Sequence, residues 1–512
     1  MEKLGGLRKG YLFLLLSLIT FPATSQSLDK TQIEQAAKAA LQTATANLRD
    51  FLSLPNDGNY PDQIQENLQW CLQRFQQLDF ATRVLETTGA PLVFAEKNYH
   101  PDAKSILFYL QIDGQPVDTS EWFQDNPFKA VLKQQNAAGE WAIIDWAKAE
   151  KGFNPDWRIF ARSASDSKGP AIALMTALRI MKDKGLQPDF NIKIIADFQE
   201  ELGSPSLPGA VETYRDLLQA EMMLIMDGTR HLSNLPTLTF GARGIATMTI
   251  KVFGARRDLH SGQYGNFAPN PVFKLAKLMA GMKDDAGRVL IPGFYDGVTL
   301  SAADKKQINS LPEDLNEIKR SLGIAQADQV GATYQEALQY PSLNIRGIRA
   351  AWVGKEVRTL IPAEAIAEID MRLVPESDGQ RLVNLVRQYI LDQGYHLMQT
   401  EPTETEREQF SQLASLTYRL GSKPFRTDLN SPLGHWLSSA MQRAFGDAFV
   451  KMRTTGGSQP IAPFITTLGI PAVSIRIPNP DNSIHAPNEN LRLGNFLEGI
   501  QMCLAIMTEK MK

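Results

Sequence analysis

The fold of this chain is decided by Ile192-Lys-Ile-Ile-Ala196-Asp197-Phe-Gln-Glu200-Glu201-Leu-Gly203-Ser204, where an apolar run is followed closely by two adjacent acids. The apolar run predicts a buried β-strand. Ligands of open α/β sheets bind at the carboxyl ends of such strands. Neighbouring carboxylates repel each other, so ionising both is costly unless a cation or a shared proton relieves the repulsion. The stretch therefore predicts metal-assisted hydrolysis at a strand end.

Strands and helices alternate on both sides of this stretch. Apolar runs predict strands, and apolar residues at helical spacing predict helices. This alternation predicts an α/β fold with a mostly parallel sheet flanked by helices. The predicted strands are 105–110, 190–196, 222–226 and 470–475, and the predicted helices are 29–52, 62–87, 170–184, 211–218 and 493–508.

A different pattern of predicted strands and helices begins near residue 238 and indicates an inserted, smaller α/β domain. It combines strand patterns at 246–253 and 365–373 with helical patterns at 270–282 and 379–393. We therefore predict a discontinuous catalytic domain, and the path of the Gly-, Pro- and Asp-rich segment 283–345 is not predicted. The predicted domains are 26–237 with 400–512 for the catalytic part and 238–399 for the insert.

The first residues have the three parts of a secretory signal peptide: a basic start, an apolar run over 11–21 and a small-residue ending at Ala23-Thr-Ser25. A transmembrane anchor is the alternative, but the run is shorter than the roughly 20 residues needed to span a bilayer. We therefore predict a signal peptide at 1–25 and a secreted or periplasmic protein. No later segment is long and apolar enough to span a membrane, so none is predicted after signal removal.

The composition is that of a globular protein and excludes several kinds of partner. The chain has 512 residues, 43% of them hydrophobic and 21% charged, with a formal net charge of -3. This acidic balance does not favour nucleic acid or an anionic membrane as a partner. The two cysteines, Cys71 and Cys503, lack the spacing of metal ligands, which leaves two buried thiols or one disulfide.

Polar side chains collect after the predicted strands, and their types are those of a metal centre. The candidates are three acids, one imidazole and one amide, with two further acids beside them. Oxygen and nitrogen donors of this kind suit Zn, Mn or Co. The candidate ligands are Gln111, Asp166, Glu201, Asp227 and His485, and the neighbouring acids are Asp113 and Glu200.

Several motifs, in order along nearly the whole chain, resemble those of the M20 family of metallopeptidases on the branch of carnosinase-like dipeptidases. The resemblance implies a metal-dependent exopeptidase-like catalytic domain with an inserted lid and dimerisation domain. The motifs are Tyr109-Leu-Gln111-Ile-Asp113-Gly-Gln-Pro116, Ala161-Arg-Ser-Ala-Ser-Asp166-Ser-Lys-Gly-Pro170, Gln199-Glu200-Glu201-Leu-Gly-Ser204, Asp227-Gly228, Asp258-Leu-His260-Ser-Gly262, Gly456-Gly-Ser458 and His485-Ala-Pro-Asn-Glu489.

The resemblance also implies ligands for two metal ions, with zinc expected and manganese or cobalt as alternatives. Asp166 would bridge the two ions. Glu201 and His485 would complete one site, and Asp227 with Gln111 the other. Glu200 would be the general base that takes a proton from the attacking water.

Further roles follow from the same resemblance. Asp113 would be the acid that orients the ligand at position 111. His260 of the lid would stabilise the oxyanion, often in the site of a neighbouring subunit, which implies a homodimer. Arg372 would grip the substrate carboxylate, and Gly457 with Ser458 would form a substrate-binding loop.

The chain departs from the family pattern at Gln111, where the family has histidine. An amide oxygen is a harder and generally weaker ligand than an imidazole nitrogen, so affinity at the second metal position should fall. Glutamine can still turn its oxygen to the metal while its NH2 donates to Asp113. A milder departure is that Ala161 and Ser163 stand where the family has glycines on either side of Arg162.

These observations predict a metal-dependent hydrolase of an amide or peptide bond, most simply a dipeptidase or short-peptide carboxypeptidase acting on a small peptide. Two alternatives stay open: an N-acyl amino acid amidohydrolase, and a binding or scaffold protein that lost catalysis through Gln111. Individual residues also have structural explanations. Asp166 is placed like a helix cap, and Arg372 could pair only with a local acid.

Overall fold

A computed structural model describes residues 27–511 of the chain. The predicted signal peptide at 1–25 lies outside these residues. Among the helices of 27–511, none has the length and apolar character needed to cross a membrane.

The main sheet has eight strands, and four of its seven strand pairings are parallel. Three of the parallel pairings join its four central strands, so the carboxyl ends of these strands meet at one edge, and the fourth joins the two strands at one side of the sheet. The predicted α/β fold with a mostly parallel sheet is thus confirmed, with antiparallel strands added on both sides. The strands, in spatial order, are Ala81–Leu85, Leu92–Lys97, Asn191–Asp197, Ser105–Gln111, Met222–Ile225, Ala472–Arg476, Thr237–Thr239 and Val450–Met452.

Helices cover both faces of this sheet. Because side chains alternate along a strand, Ile106 and Phe108 pack into one apolar cluster while Leu107 and Tyr109 pack into another. The first cluster lies under Lys30–Leu52, Lys168–Asp183, Pro432–Phe445 and Leu493–Met507, and the second under Leu207–Thr213 and Ala462–Leu468. Shorter helices of this domain are Ala147–Lys151 and Arg215–Leu218.

The first predicted helix begins as expected, and the second is half wrong. Asp29 caps the first helix by accepting from the backbone N–H of Gln32. The second helix is Pro61–Gln77 only, and the predicted continuation to 87 is instead the edge strand Ala81–Leu85. Asp79, with φ of 63°, adopts a left-handed conformation that cannot continue a helix. The strand is formed by pairing with Leu92–Lys97.

The inserted domain has a five-stranded sheet with helices Pro271–Ala280 and Gly379–Asp392 packed on one face. The predicted boundary at 399 divides this sheet, because the strand Leu413–Leu420 pairs along the strand Gly244–Phe253. The sheet therefore extends past the predicted return to the catalytic domain at residue 400. Its strands, in spatial order, are Ser342–Arg349, Glu364–Leu373, Gly244–Phe253, Leu413–Leu420 and His396–Met398.

The segment 283–345, whose path was not predicted, contains three short helices within a mostly irregular chain. Its helices are Ala302–Ile308, Leu315–Leu322 and Tyr334–Ala337, each begun by a capping side chain. The segment is tied to the catalytic domain by a buried contact of 3.0 Å between His231 Nε2 and Glu313 Oε1. The remaining short helices are Ser261–Tyr264 and Glu404–Gln409.

A four-stranded sheet beside the main sheet was not predicted. Its strands are Asn490–Arg492, Arg158–Phe160, Val131–Gln135 and Trp141–Ile144. Two-stranded pairs join Leu259–His260 to Leu360–Ile361 and Gly241–Ala242 to Phe425–Arg426. Of the two alternatives for the cysteines, the structure has two free, buried thiols at Cys71 and Cys503.

Candidate metal centre and active site

Three of the predicted ligands, Asp166, Glu201 and His485, form one cluster. His485 Nε2 lies 3.0 Å from Asp166 Oδ2 and 3.3 Å from Glu201 Oε2. One donor atom from each of the three residues lies within 4.8 Å of the others. Glu201 Oε1 is buried and accepts no hydrogen bond within the described residues. Two carboxylates and an imidazole at this spacing would suit Zn²⁺, with Mn²⁺ or Co²⁺ as alternatives.

Local backbone conformation brings these side chains together. Glu200 and Glu201 lie on a single 3₁₀ turn directly after the strand Asn191–Asp197, and Gly203 ends the turn with φ of 81°. Asp166 lies two residues before the helix Lys168–Asp183, whose N-cap is Ser167, so the alternative that Asp166 is a helix cap is wrong. His485 adopts a left-handed conformation with φ of 59°. The site is therefore assembled from strand ends and loops, as expected for an open α/β sheet.

Asp113 is buried and fixes the turn that carries the two glutamates. Its Oδ1 accepts from the backbone N–H of Glu200 at 2.9 Å, and its Oδ2 from that of Glu201 at 3.0 Å. Gln115 Nε2, a residue without a predicted role, donates to Glu201 Oε2 at 2.7 Å. The predicted hydrogen bond from Gln111 to Asp113 is wrong, because backbone donors hold both oxygens and Gln111 Nε2 has no partner among the described residues.

Asp227 is near the cluster but is engaged by protein donors. Its Oδ2 accepts from Gln459 Nε2 at 2.9 Å. The Ser167 hydroxyl lies 2.8 Å from Asp227 Oδ1 and 3.0 Å from Asp166 Oδ1, so it links the two acids. Gln111 lies at the end of the neighbouring strand and is also buried. Asp227 and Gln111, the predicted second ligand set, therefore lie at the same edge of the sheet. Asp227 is hydrogen-bonded by protein donors, whereas Glu201 Oε1 has no donor.

Burial and mutual repulsion raise the pKa values of three acids at the site, Asp166, Glu200 and Glu201. Burial first, and then the neighbouring acids, raises the pKa of Glu200 well above its usual range. The same causes raise the pKa of Asp166 to about 6 and that of Glu201 to about 8. The hydrogen bond to Asp166 is the largest influence on His485 and raises its pKa to about 9. These directions have one physical meaning: the buried acids need positive charge, which protons or a cation can supply.

Glu489 ends the motif of His485, and no role was predicted for it. Its fully buried carboxylate accepts from Arg162 Nη1 and from the backbone N–H of Ser163 and Ser165, each at 2.8 Å. It also accepts from the backbone N–H of Asp166 at 2.9 Å. Glu489 therefore fixes the loop that presents Asp166. Its position four residues after His485, in the same motif, was the available signal.

The glycine-to-serine departure at position 163 has a structural counterpart. Ser163 has φ of 62°, a region that favours glycine. Its Oγ lies 2.9 Å from Asn56 Nδ2, which itself donates to the backbone carbonyl of Ile112. The side chain that strains this backbone thus also links the Asp166 loop to the strand end of Gln111.

The predicted substrate-binding residues meet beside a second arginine. Arg372 Nη1 lies 3.0 Å from Ser458 Oγ, and the carbonyl of Gly457 accepts from the backbone N–H of Arg243 at 3.1 Å. Arg243 is buried, and its Nη2 donates to the Tyr340 carbonyl. Burial first, and then the charge of Arg372, lowers the pKa of Arg243 to about 10. Two adjacent guanidinium groups favour an anion between them. Arg243 lies outside the motifs from which the site was predicted.

His260 is exposed on the inserted domain. Its Nδ1 accepts from the backbone N–H of Gly262 at 3.1 Å, which caps the short helix Ser261–Tyr264. No hydrogen bond or ion pair of 27–511 joins its ring to the acidic cluster of the same chain. Its role at the site of a second copy stays a prediction.

Comparison with known proteins agrees with this architecture. The model of Peptidase family M20/M25/M40 matches residues 107–509. Among curated relatives, the Cys-Gly metallodipeptidase dug1 of Schizosaccharomyces pombe is 26% identical over 424 residues, with 80% of this chain and 81% of the relative covered. The Beta-Ala-His dipeptidase of Rattus norvegicus is 26% identical over 432 residues, with 82% and 80% covered.

Solved structures give the same result. The M20 family metallo-carboxypeptidase Sso-CP2 of Sulfolobus solfataricus superposes with a TM-score of 0.74 at 26% identity, covering 91% of this chain and 98% of its own. Human carnosine dipeptidase 1 superposes with a TM-score of 0.72 at 22% identity, covering 93% and 98%. The resemblance predicted from the motifs is confirmed.

Proposed function

The chain belongs to peptidase family M20/M25/M40, and from this premise we propose that it is a metal-dependent hydrolase of dipeptides or short peptides with a free C-terminal carboxylate. The observation that carries the proposal is the convergence of Asp166, Glu201 and His485 around one point, with Glu200 on the same turn as Glu201. The curated relatives named above are dipeptidases, which supports a short substrate.

Asp166, Glu201 and His485 would hold the metal, with zinc the expected ion. When bound, a divalent cation polarises the scissile carbonyl and lowers the pKa of water towards neutrality. Glu200 accepts the proton of the attacking water on its carboxylate and later donates it to the leaving amine. Asp113 keeps Glu200 in place by accepting a hydrogen bond from the backbone N–H of Glu200.

The substrate carboxylate is proposed to bind at Arg372 and Arg243, beside Gly457 and Ser458. This charged end-group site supports exopeptidase rather than endopeptidase activity, because a chain that continues past it has no carboxylate to offer. His260 is proposed to stabilise the oxyanion in the site of a second copy, so the working form is proposed to be a homodimer. The signal-like start supports a secreted or periplasmic location.

A direct test offers the purified protein a dipeptide library with Zn²⁺, Mn²⁺ or Co²⁺. We expect hydrolysis of free dipeptides, and at least tenfold slower hydrolysis of the same dipeptides with an amidated C-terminus, because the amide removes the charge that the arginines bind. N-acyl amino acids in the same assay test for an amidohydrolase. Absence of turnover with every metal, while a related dipeptidase is active in parallel, would contradict the proposal.

A second function is favoured by one observation, the glutamine at the position of a metal-binding histidine. A protein with a weakened metal position could bind peptides without cleaving them. Calorimetric titration with the same dipeptides separates the two functions. Binding of intact dipeptide by metal-loaded protein, without hydrolysis over hours, would support the binding protein.

A further inference from the structure

Arg476 ends the central strand Ala472–Arg476, at the same edge of the sheet as the acidic cluster. Its side chain is buried, with 5% of the residue exposed, and neither Nε nor Nη2 has a hydrogen-bond partner within 27–511. A buried guanidinium is costly unless negative charge lies close by. The acids whose charges act on it are Asp227 and Asp166, at a longer range than a direct ion pair.

The backbone after Asp227 is shaped to admit this guanidinium. Gly228 has φ of 94°, and a β-carbon at this residue would overlap Arg476 Nη1 and Cζ. Only glycine therefore allows Arg476 to lie directly against the backbone beside Asp227. Arginine stays protonated at any pH at which the protein is folded, so it places a permanent positive charge here.

The carboxylate of Asp227 is also engaged by neutral donors. Ser167 Oγ lies 2.8 Å from one oxygen, and Gln459 Nε2 lies 2.9 Å from the other. The opposite end of the Gln459 amide lies 3.4 Å from Ser474 Oγ, an orientation that turns its NH2 towards Asp227. A cation bound by Asp227 would have to share its oxygens with these hydrogen bonds.

Gln111 adds a weak ligand to the same position. Its amide is neutral and is a weaker ligand than imidazole. A second cation would therefore meet one amide, one acid that is already hydrogen-bonded and one bridging acid, all beside a fixed positive charge. The opposite half of the cluster differs, since Glu201 Oε1 is buried and accepts no hydrogen bond.

We propose that Arg476 takes the place of a second metal ion, so that the protein binds one divalent cation per chain, at Asp166, Glu201 and His485. The charge of Arg476 offsets that of Asp227, and Asp166 is left to serve a single ion. The proposal rests on the proposed metal-dependent hydrolase. It contrasts with a structural neighbour from Bacillus subtilis that is described as a dinuclear metal binding peptidase.

The test is the number of metal ions bound per chain by the full-length protein, Arg476→Met and Arg476→Lys, each equilibrated with Mn²⁺ and measured by elemental analysis and equilibrium dialysis. We expect one ion in the wild type and in the lysine variant, which keeps the charge. We expect two ions in the methionine variant, whose second site should bind at least tenfold more tightly than any second site of the wild type. Paired Mn²⁺ ions also give a spin-coupled resonance signal, which should appear only in the methionine variant.

The number of ions bound tests the role of Arg476 separately from the proposed hydrolase function. Two ions of similar affinity in the wild type, or one ion in a folded methionine variant, would overturn the role of Arg476 and leave the proposed hydrolase intact. No ion in the wild type would overturn the hydrolase as well. If Arg476→Met does not fold, Asp227→Asn replaces it: a constant count of one ion supports the proposal, and a fall from two ions to one overturns it.

Discussion

The two halves of the acidic cluster share one edge of the sheet but differ in how their donor atoms are used. In the half formed by Asp166, Glu201 and His485, Glu201 Oε1 has no hydrogen-bond donor, and the three side chains converge. In the half formed by Asp227 and Gln111, protein donors occupy the carboxylate, and a buried arginine supplies the charge. We therefore expect a buried acid of this cluster to bind a metal ion where at least one of its oxygens has no protein donor.

The largest effect is expected from Glu200→Gln, which removes the proposed general base but none of the proposed metal ligands of either half. The amide keeps the size of the side chain but cannot accept a proton from water. Turnover of the best dipeptide should fall by about 10²–10⁴-fold, the usual contribution of a general base. Metal content by elemental analysis should be unchanged. Loss of the metal together with activity would show that Glu200 is a ligand rather than the base.

The comparison itself is tested by removing one acid from each half. Glu201→Gln should weaken metal binding by more than about 100-fold, beyond the 10–100-fold seen when partners of metal ligands are lost. Asp227→Asn is the matched control and should change the affinity by less than about tenfold, because its oxygens already have protein donors. Equilibrium dialysis with Zn²⁺ measures both. Equal losses in the two variants would mean that both halves bind metal.

Glu489→Gln tests whether the half formed by Asp166, Glu201 and His485 depends on the buried carboxylate of Glu489. The substitution leaves Arg162 buried without its ion-pair partner, which should lower the free energy of unfolding by about 3 kcal/mol. Urea unfolding of the metal-free protein measures this change. The control is Asp183→Asn, which breaks the exposed pair with Arg179 and should cost about 0.5 kcal/mol or less. A similar small loss in both variants would contradict a supporting role for Glu489.

The sequence predicted those parts of the fold that depend on local pattern. The central strands are apolar because both of their faces are buried under helices, and this signal is strong. The edge strand Ala81–Leu85 has no such signal, since only Leu85 is buried, and its conformation is set by pairing with Leu92–Lys97. The strand Leu413–Leu420 was missed for a similar reason: its place in the inserted sheet depends on a partner more than 150 residues earlier.

For the site, too, the sequence predicted the local features but not those that depend on distant residues. The types of the ligands, their order and the turn of Glu200 and Glu201 follow from motifs. The state of each ligand does not, because it depends on remote side chains. Asp227 is engaged by Gln459, more than 200 residues later. The backbone of the next residue, Gly228, packs against Arg476, which looks like an ordinary strand end in the sequence. The unpartnered amide of Gln111 could likewise be found only in the structure.

The smallest effect is expected from Gln111→His, which places an imidazole, a stronger ligand than the amide, in the half formed by Asp227 and Gln111. The imidazole should raise the affinity of a second metal ion, but by no more than about tenfold while Arg476 remains, since one ligand is gained against an unchanged positive charge. Equilibrium dialysis over a range of Mn²⁺ concentrations measures the shift, with Gln115→His as a control of the same chemistry beside Glu201. An unchanged second-site affinity would show that residue 111 does not face a metal. Full occupancy at micromolar Mn²⁺ would show that the ligand at position 111, and not the arginine, had kept the second ion out.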